Sequence, residues 1–269
     1  MWQGHDLPEV IEVHRDRVWH RESENRIEDA RSAERFIERV GFCSAMTDCR
    51  RPGPSLYIAV CGRRDAHMPR NVQKDPESRL AWSIKDDVMR RGRVYYAKLK
   101  RGRLTFIARR LLPYFHALWG VPSGEAEFLS EDARSVLRVL RSEWEMGTRD
   151  LRLASLIDER GRFTRAIDDL QKAFIVIPSD VTYKPTFSYI WSLAETRFHD
   201  ELGVRVSREE ALKEIARAYL SSAGMALRGE LASVTGLSRP EAGAGSWSLV
   251  DDGVALRLEP GVYSWRELP

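Results

Sequence analysis

The chain has 269 residues, with 43 Lys and Arg against 40 Asp and Glu and a net charge of +3. That length can bury more than one core, and so even a balance leaves any case for a nucleic-acid partner to the distribution of basic residues, not to their total. No apolar run approaches the ~18 residues that a membrane span needs. Met1 is followed by polar sequence without an apolar signal core, and the three cysteines form no C-x-x-C pair, so the expectation is a cytoplasmic monomer that uses no membrane, metal or cofactor. Cys43, Cys49, Cys61 and His67 have the donor types of a Cys3His zinc site. Structural zinc sites usually space their ligands more tightly, so small buried thiols and a loop histidine are expected instead.

Residues 1–30 are polar and weakly periodic and read as an N-terminal extension with one helix around residues 16–30. The first organised unit spans residues 31–120. Ser32 can cap a helix carrying Phe36, Ile37 and Val40, which stops at Gly41. Residues 56–60 form a second apolar segment, and a third helix covers about 80–91, ended by Gly92. The period then changes from helical to extended. Residues 94–99 and 104–108 predict a hairpin around Lys100-Arg101-Gly102-Arg103. Helices followed by a hairpin are the order of a winged helix.

The same order recurs over residues 121–206. Ser130 caps a helix with Ala133, Val136, Leu137 and Leu140 on one face, Thr148 opens the next, and a third covers residues 163–172. Residues 174–177 read as a buried strand stopped by Pro178, and residues 185–199 as an aromatic connecting helix. It recurs again over residues 207–269. Ser207 and Glu210 make a capping box, Leu212, Ile215, Ala216, Tyr219 and Leu220 form a stripe, and Leu231 and Val234 lie on a second helix. Pro240 opens a third helix, and Asp252-Gly253 predicts a tight hairpin between residues 247–250 and 254–258. The fold class is therefore α+β, helix-rich, with tandem winged-helix units that repeat in order but not in sequence.

Residues 90–110 hold nine Lys and Arg and no acid, with Tyr95, Tyr96 and Phe106 interleaved. Such a hairpin can lay Lys98, Lys100, Arg101 and Arg103 on phosphates and Tyr96 on an unpaired base. The structural alternative is a solvated basic face over core aromatics. In the helix-turn-helix order the third helix enters the major groove, which nominates Arg162 and Arg165 in the second unit, where Asp168 and Asp169 oppose phosphates, and Arg239 in the third. Gly243 and Gly245 each cost the third unit roughly 1 kcal/mol of helix propensity, so it reads as a packing module. For chemistry there is no GxSxG, HExxH, P-loop or GxGxxG. Asp86 and Asp87, beside Lys85, would share a cleft with Tyr96 and Lys98 if helix and hairpin pack together, and so are candidates to position water.

Residues 169–178 (DLQKAFIVIP), 187–195 (FSYIWSLAE) and the SREEA beginning at Ser207 resemble the middle of the AlkZ/YcaQ winged-helix DNA glycosylases. Residues 36–42 (FIERVGF), 54–57 (PSLY), 82–86 (WSIKD) and 94–99 (VYYAKL) are similar to its AlkZ-related branch. The resemblance spans about residues 31–236. It implies tandem winged helices around a cleft for double-stranded DNA. It also implies metal-free removal of alkylated or crosslinked bases by water, positioned by a strand-borne Gln-x-Gln or Gln-x-Asp. This chain departs there: its glutamines are Gln3, Gln73 and Gln171. Gln73-Lys74-Asp75 has the right ends, with a lysine between them in a loop. Gln73 and Asp75 therefore stand as candidates beside Asp86 and Asp87. Two readings stay open, a glycosylase with a different acid and a binding relative without catalysis. The rivals are a transcriptional regulator, which predicts a dimer on a palindromic site, and a protein-interaction module, which predicts no salt-dependent DNA binding.

Overall fold

Three times in succession the chain runs helix, short strand, two helices and then a hairpin. A computed structural model describes residues 7–99, 102–121 and 128–267. The helix α1 (Glu9–Val18) precedes the first unit, which comprises α2 (Ala30–Val40), β1 (Phe42–Ser44), α3 (Leu56–Cys61), α4 (Pro76–Arg91), β2 (Tyr95–Lys98) and β3 (Leu104–Ile107). After α5 (Leu112–Trp119) come α6 (Glu131–Glu143), β4 (Glu145–Gly147), α7 (Thr148–Ala154), α8 (Arg160–Lys172), β5 (Val176–Thr182) and β6 (Ser188–Leu193). After α9 (Glu195–Gly203) the third unit is α10 (Arg208–Ala223), β7 (Met225–Ala226), α11 (Glu230–Thr235), α12 (Arg239–Asp251), β8 (Ala255–Glu259) and β9 (Val262–Trp265). The sheets are ordered β1-β3-β2, β4-β6-β5 and β7-β9-β8, antiparallel throughout. In each, the short first strand pairs with the last strand of the hairpin. This is a helix-rich α+β fold of tandem winged-helix units. Among the described residues no helix is long and apolar enough to cross a membrane.

The units are not independent. One apolar core runs through the first and third, joining Phe36, Tyr57, Tyr95 and Phe106 to Tyr219 and Leu249. Phe42 lies edge-on to Phe115 with centroids 5.2 Å apart and stacks on Tyr219 at 6.3 Å. The second unit has a core of its own, built from Val136, Leu140, Leu151, Phe163, Leu170 and Trp191. The N-terminal helix lies earlier than the charge pattern suggested and is welded to the third unit. Its Arg15 is buried, donates from Nε to the Ala223 carbonyl at 3.0 Å and pairs with the buried Glu230 at 3.0 Å.

Several sequence expectations are corrected. Asp29, not Ser32, caps α2; Ser32 is the third helical residue and completes the capping box with it. Residues 188–193 form strand β6, not part of a connecting helix. The strand β5 does not stop at Pro178, because a bulge between Pro178 and Asp180 absorbs the missing donor. Asp252-Gly253 is not a hairpin turn. Residues 247–250 belong to α12, whose buried positions Ala242, Gly245, Ser246 and Leu249 fall at helical spacing, and the third wing turns instead at Gly261, where φ is +84°.

The loop between β1 and α3 is fixed by Asp48. Its carboxylate accepts from Arg50 Nε at 2.9 Å and from the Met68 N–H at 3.0 Å. Burial alone would raise this carboxyl, but the bonds from Arg50 and Met68 override it and hold it down at about 2, against an ordinary 3.8. A depressed folded value stabilises above the unfolded value and is lost as pH falls through the folded one. Asp48→Asn is therefore expected to cost roughly 2 kcal/mol at neutral pH, and the gap to the native chain should close between about pH 4 and pH 2. Urea melts of both proteins across that range check this; a pH-independent gap would remove the carboxylate from the account.

Candidate nucleic-acid interface

Helix α4 is the third helix of the first unit, the position that enters the groove in a winged helix. Asp75 caps it by accepting from the Ser78 N–H at 2.7 Å, and Pro76 suits its first turn. Its buried face holds charge as well as apolar groups: Lys85 is 0% and Asp86 1% exposed, and Lys85 Nζ lies 2.6 Å from Asp86 Oδ1. Burying two charges is tolerable only when their remaining donors and acceptors find partners. Those partners come from the wing of the second unit. Lys85 Nζ donates to the Tyr189 hydroxyl at 3.1 Å, and the Tyr183 hydroxyl donates to Asp86 Oδ2. The ammonium also faces the Trp82 ring, 4.2 Å from its centroid. Burial and the bond to Asp86 push the Tyr183 phenol up to about 12, so it stays a neutral donor.

Around this pair the aromatics of the second wing form a ladder. Phe187, Tyr189 and Trp191 sit on one face of β6 and its entry, with centroids 5.0 and 5.5 Å apart, as alternate residues of a strand must. Phe187 also meets Trp82 at 6.1 Å and Tyr183 at 5.6 Å. Outside the rings, Arg90 donates from Nε to Asp180 at 2.6 Å and reaches the Val181 carbonyl at 3.0 Å. Arg197 bridges the Met89 and Ser179 carbonyls at 3.1 and 3.2 Å. Helix α4 of one unit and the wing of the next are thereby joined into one surface. It leaves Arg79, Leu80, Tyr183, Lys184 and Phe187 exposed, with Trp82 half-buried. Cations with uncovered rings can hold phosphates and wedge against bases.

The structure distributes the sequence candidates unevenly. Asp86 belongs to this surface but is buried and paired. Asp87 is exposed and bonded to Arg90 at 3.2 Å. Gln73 is exposed on a turn and Asp75 is spent on the cap, so this pair does not stand on a strand. Tyr96 is buried against Phe106, 4.7 Å between centroids, and burial pushes its phenol well up, so it is a core residue. The first hairpin is docked. Lys98 pairs with Asp168 at 2.6 Å, its N–H donates to Gln171 at 2.8 Å, and Arg103 donates to the Ser233 carbonyl at 2.9 Å. Lys100 and Arg101 lie outside the described residues. Arg162 is exposed and paired with Asp132 at 2.6 Å, while Arg165 and Arg239 are exposed on α8 and α12. Of the sulfur set, Cys49 and His67 meet at 3.4 Å, and no group of three or more metal donors forms among the described residues.

The AlkZ-related family matches residues 27–234. The chain belongs to that family. A comparison with curated proteins returns no match. Among solved structures the fold is similar to the DNA glycosylase AlkZ of Streptomyces sahachiroi, with a TM-score of 0.57 and 14% identity over 96% of this chain and 69% of the other. At that identity the likeness speaks for the fold alone. The AlkZ-related match reaches across the first two units and ends inside α11 of the third, so both halves of the α4–wing surface lie within it.

The wing residues were missed in the sequence because 185–199 read as a helix. Phe187, Tyr189 and Trp191 alternate at period two, which is the strand signal.

Proposed function

We propose that this protein binds duplex DNA through the α4–wing surface and serves base-excision repair. The observation that carries the reading is the joining of α4, the third helix of its unit, to a neighbouring wing whose tip exposes Tyr183, Lys184 and Phe187. Fluorescence anisotropy on a labelled duplex across a salt series tests it. Lys184→Ala with Phe187→Ala is expected to weaken binding roughly tenfold, about 1.4 kcal/mol, and to lower the salt slope by about 0.9 for the one lost phosphate contact. Absence of duplex binding at low salt would overturn the reading and favour a protein-interaction module.

Excision of alkylated or crosslinked bases is the reaction attached to this surface, supported by membership of the AlkZ-related family and by the name of the AlkZ structure of similar fold. Asp86 is the sequence-nominated carboxylate bonded directly to the wing. Abasic-site formation on alkylated duplex by the native chain, lost in Asp86→Asn at a temperature where melting shows the variant folded and it still binds duplex, is the expected result. Unchanged turnover would take Asp86 out of the chemistry, and no turnover by the native chain would leave a binding protein.

A further inference from the structure

On a separate part of the molecule, α1, the loop of residues 49–55 and the start of α11 line a half-open cavity of about 240 Å³. Five arginines line it, Arg15, Arg21, Arg50, Arg51 and Arg64, together with Trp19. Only two carboxylates line it with them, Glu12 and Glu230, and both are engaged, with Arg21 at 2.7 Å and Arg15 at 3.0 Å. Three further carboxylates outside the lining pair with these arginines, Asp48 with Arg50 at 2.9 Å, Asp16 with Arg21 at 3.0 Å and Arg64 at 2.6 Å, and Glu9 with Arg64 at 3.2 Å. Arg50 and Arg64 keep part of a five-donor guanidinium fork for other acceptors. Arg51 is exposed and pairs with no carboxylate among the described residues.

Every lining arginine but Arg51 thus has a carboxylate partner, and Arg51 with the unshared fork N–H groups of Arg50 and Arg64 are the donors left for a ligand. Arg15 and Arg21 lie over the Trp19 ring at 4.6 and 5.3 Å, which orients their planar forks. Burial pulls the Arg21 guanidinium below its ordinary value despite Glu12 and Asp16, the response of a cation whose partners do not fully repay its desolvation. The indole N–H of Trp19, itself 4% exposed, has no acceptor. The rim is preorganised: Asp48 holds Arg50, Ser55 Oγ donates to the Thr47 carbonyl at 2.6 Å, and a side chain on Gly53 would meet Val234 at 2.8 Å. A fixed rim lowers the ordering cost of binding.

We propose that this cavity is a phosphate-monoester site, sized for a sugar phosphate. A dianionic phosphate offers the oxygens that several arginine forks can share, and at about 30 Å³ per water the volume equals roughly eight waters. The ligand is either a free sugar phosphate or the phosphorylated end of a nucleic-acid strand. The site shares no residue with the α4–wing surface and does not rest on the DNA reading.

Calorimetric titration of the full chain with ribose 5-phosphate, inorganic phosphate and ribose tests the proposal. Both phosphate probes are expected to bind and ribose not to bind. Arg51→Gln, an exposed position, should weaken ribose 5-phosphate at least tenfold with an unchanged melting temperature, and Lys184→Ala/Phe187→Ala should leave it unaffected. A short duplex with a 5′-phosphate that binds more tightly than its 5′-hydroxyl counterpart, a preference abolished by Arg51→Gln, would make the ligand a strand end. Equal binding of the two duplexes alongside sugar-phosphate binding would make it a free metabolite. No binding of either phosphate probe at millimolar concentration, or binding that Arg51→Gln leaves unchanged, overturns the site.

Discussion

Lys85→Met is expected to cost about 3–5 kcal/mol, the loss that follows when one member of a buried ion pair is removed and the other stays. Lys85 has no exposed surface, and its ammonium is the cation beside the Asp86 carboxylate. Methionine fills much of the same space, so the loss is electrostatic rather than a cavity effect. After the substitution Asp86 keeps only the Tyr183 hydroxyl and is buried without a countercharge. The double variant Lys85→Met/Asp86→Leu removes both charges and should recover most of the loss, because paired desolvation and attraction roughly cancel. Urea denaturation of the native, single and double variants decides this. Losses that simply add would show that the two residues act independently. The same variants probe the interface, since Tyr183 and Tyr189 position the wing through this pair.

The second large effect is one of sign. Intrinsic propensity says that either glycine of α12 should be improved by alanine, by roughly 1 kcal/mol. For Gly243 that expectation stands, because nothing lies within 4 Å of an added Cβ. For Gly245 it reverses. A Cβ there would sit 2.3 Å from the Leu212 carbonyl oxygen and 3.3 Å from Ala216 Cβ, so α10 and α12 must separate along their shared face. Gly245→Ala is expected to destabilise by about 1–3 kcal/mol as overpacking does, and Gly243→Ala to stabilise. Thermal melts of the two single variants measure both. Stabilisation by Gly245→Ala would mean that the two helices cross more loosely than described.

These cases mark where the sequence is legible. Caps and periodicity announce α6 and α10, and Gly92 the end of α4, because the forces that end a helix lie within a few residues, while the Asp75 cap that opens α4 at Pro76 read as loop. The repeated helix–helix–hairpin order was likewise readable. The short strands β1, β4 and β7 were not, since two or three residues give no alternation to read. Asp252-Gly253 misled because a glycine of positive φ, +73° at Gly253, serves a helix end as well as it serves a hairpin. The basic character of residues 90–110 was plain. That Lys98 and Arg103 are spent on Asp168 and Ser233 was not, because both partners are at least seventy residues away. Asp86 was nominated on the condition that helix and hairpin meet. Helix α4 does reach the hairpin residue Tyr96, whose ring lies 5.8 Å from Lys85 Nζ, while the groups that decide what Asp86 can do come from the next unit.

The bonds of Arg15 to Ala223, Met225 and Glu230 span 208 to 215 residues. During synthesis the N-terminal helix leaves the ribosome long before its partners exist, so its guanidinium must stay hydrated until α10 and α11 have been made. Loop closure over that distance comes late and slowly. The second unit, with its own core, can settle first, while the first waits for the chain to be nearly complete before its shared core can close. A truncation before residue 230 would therefore leave the beginning of the protein unfinished, although every residue of that beginning is present.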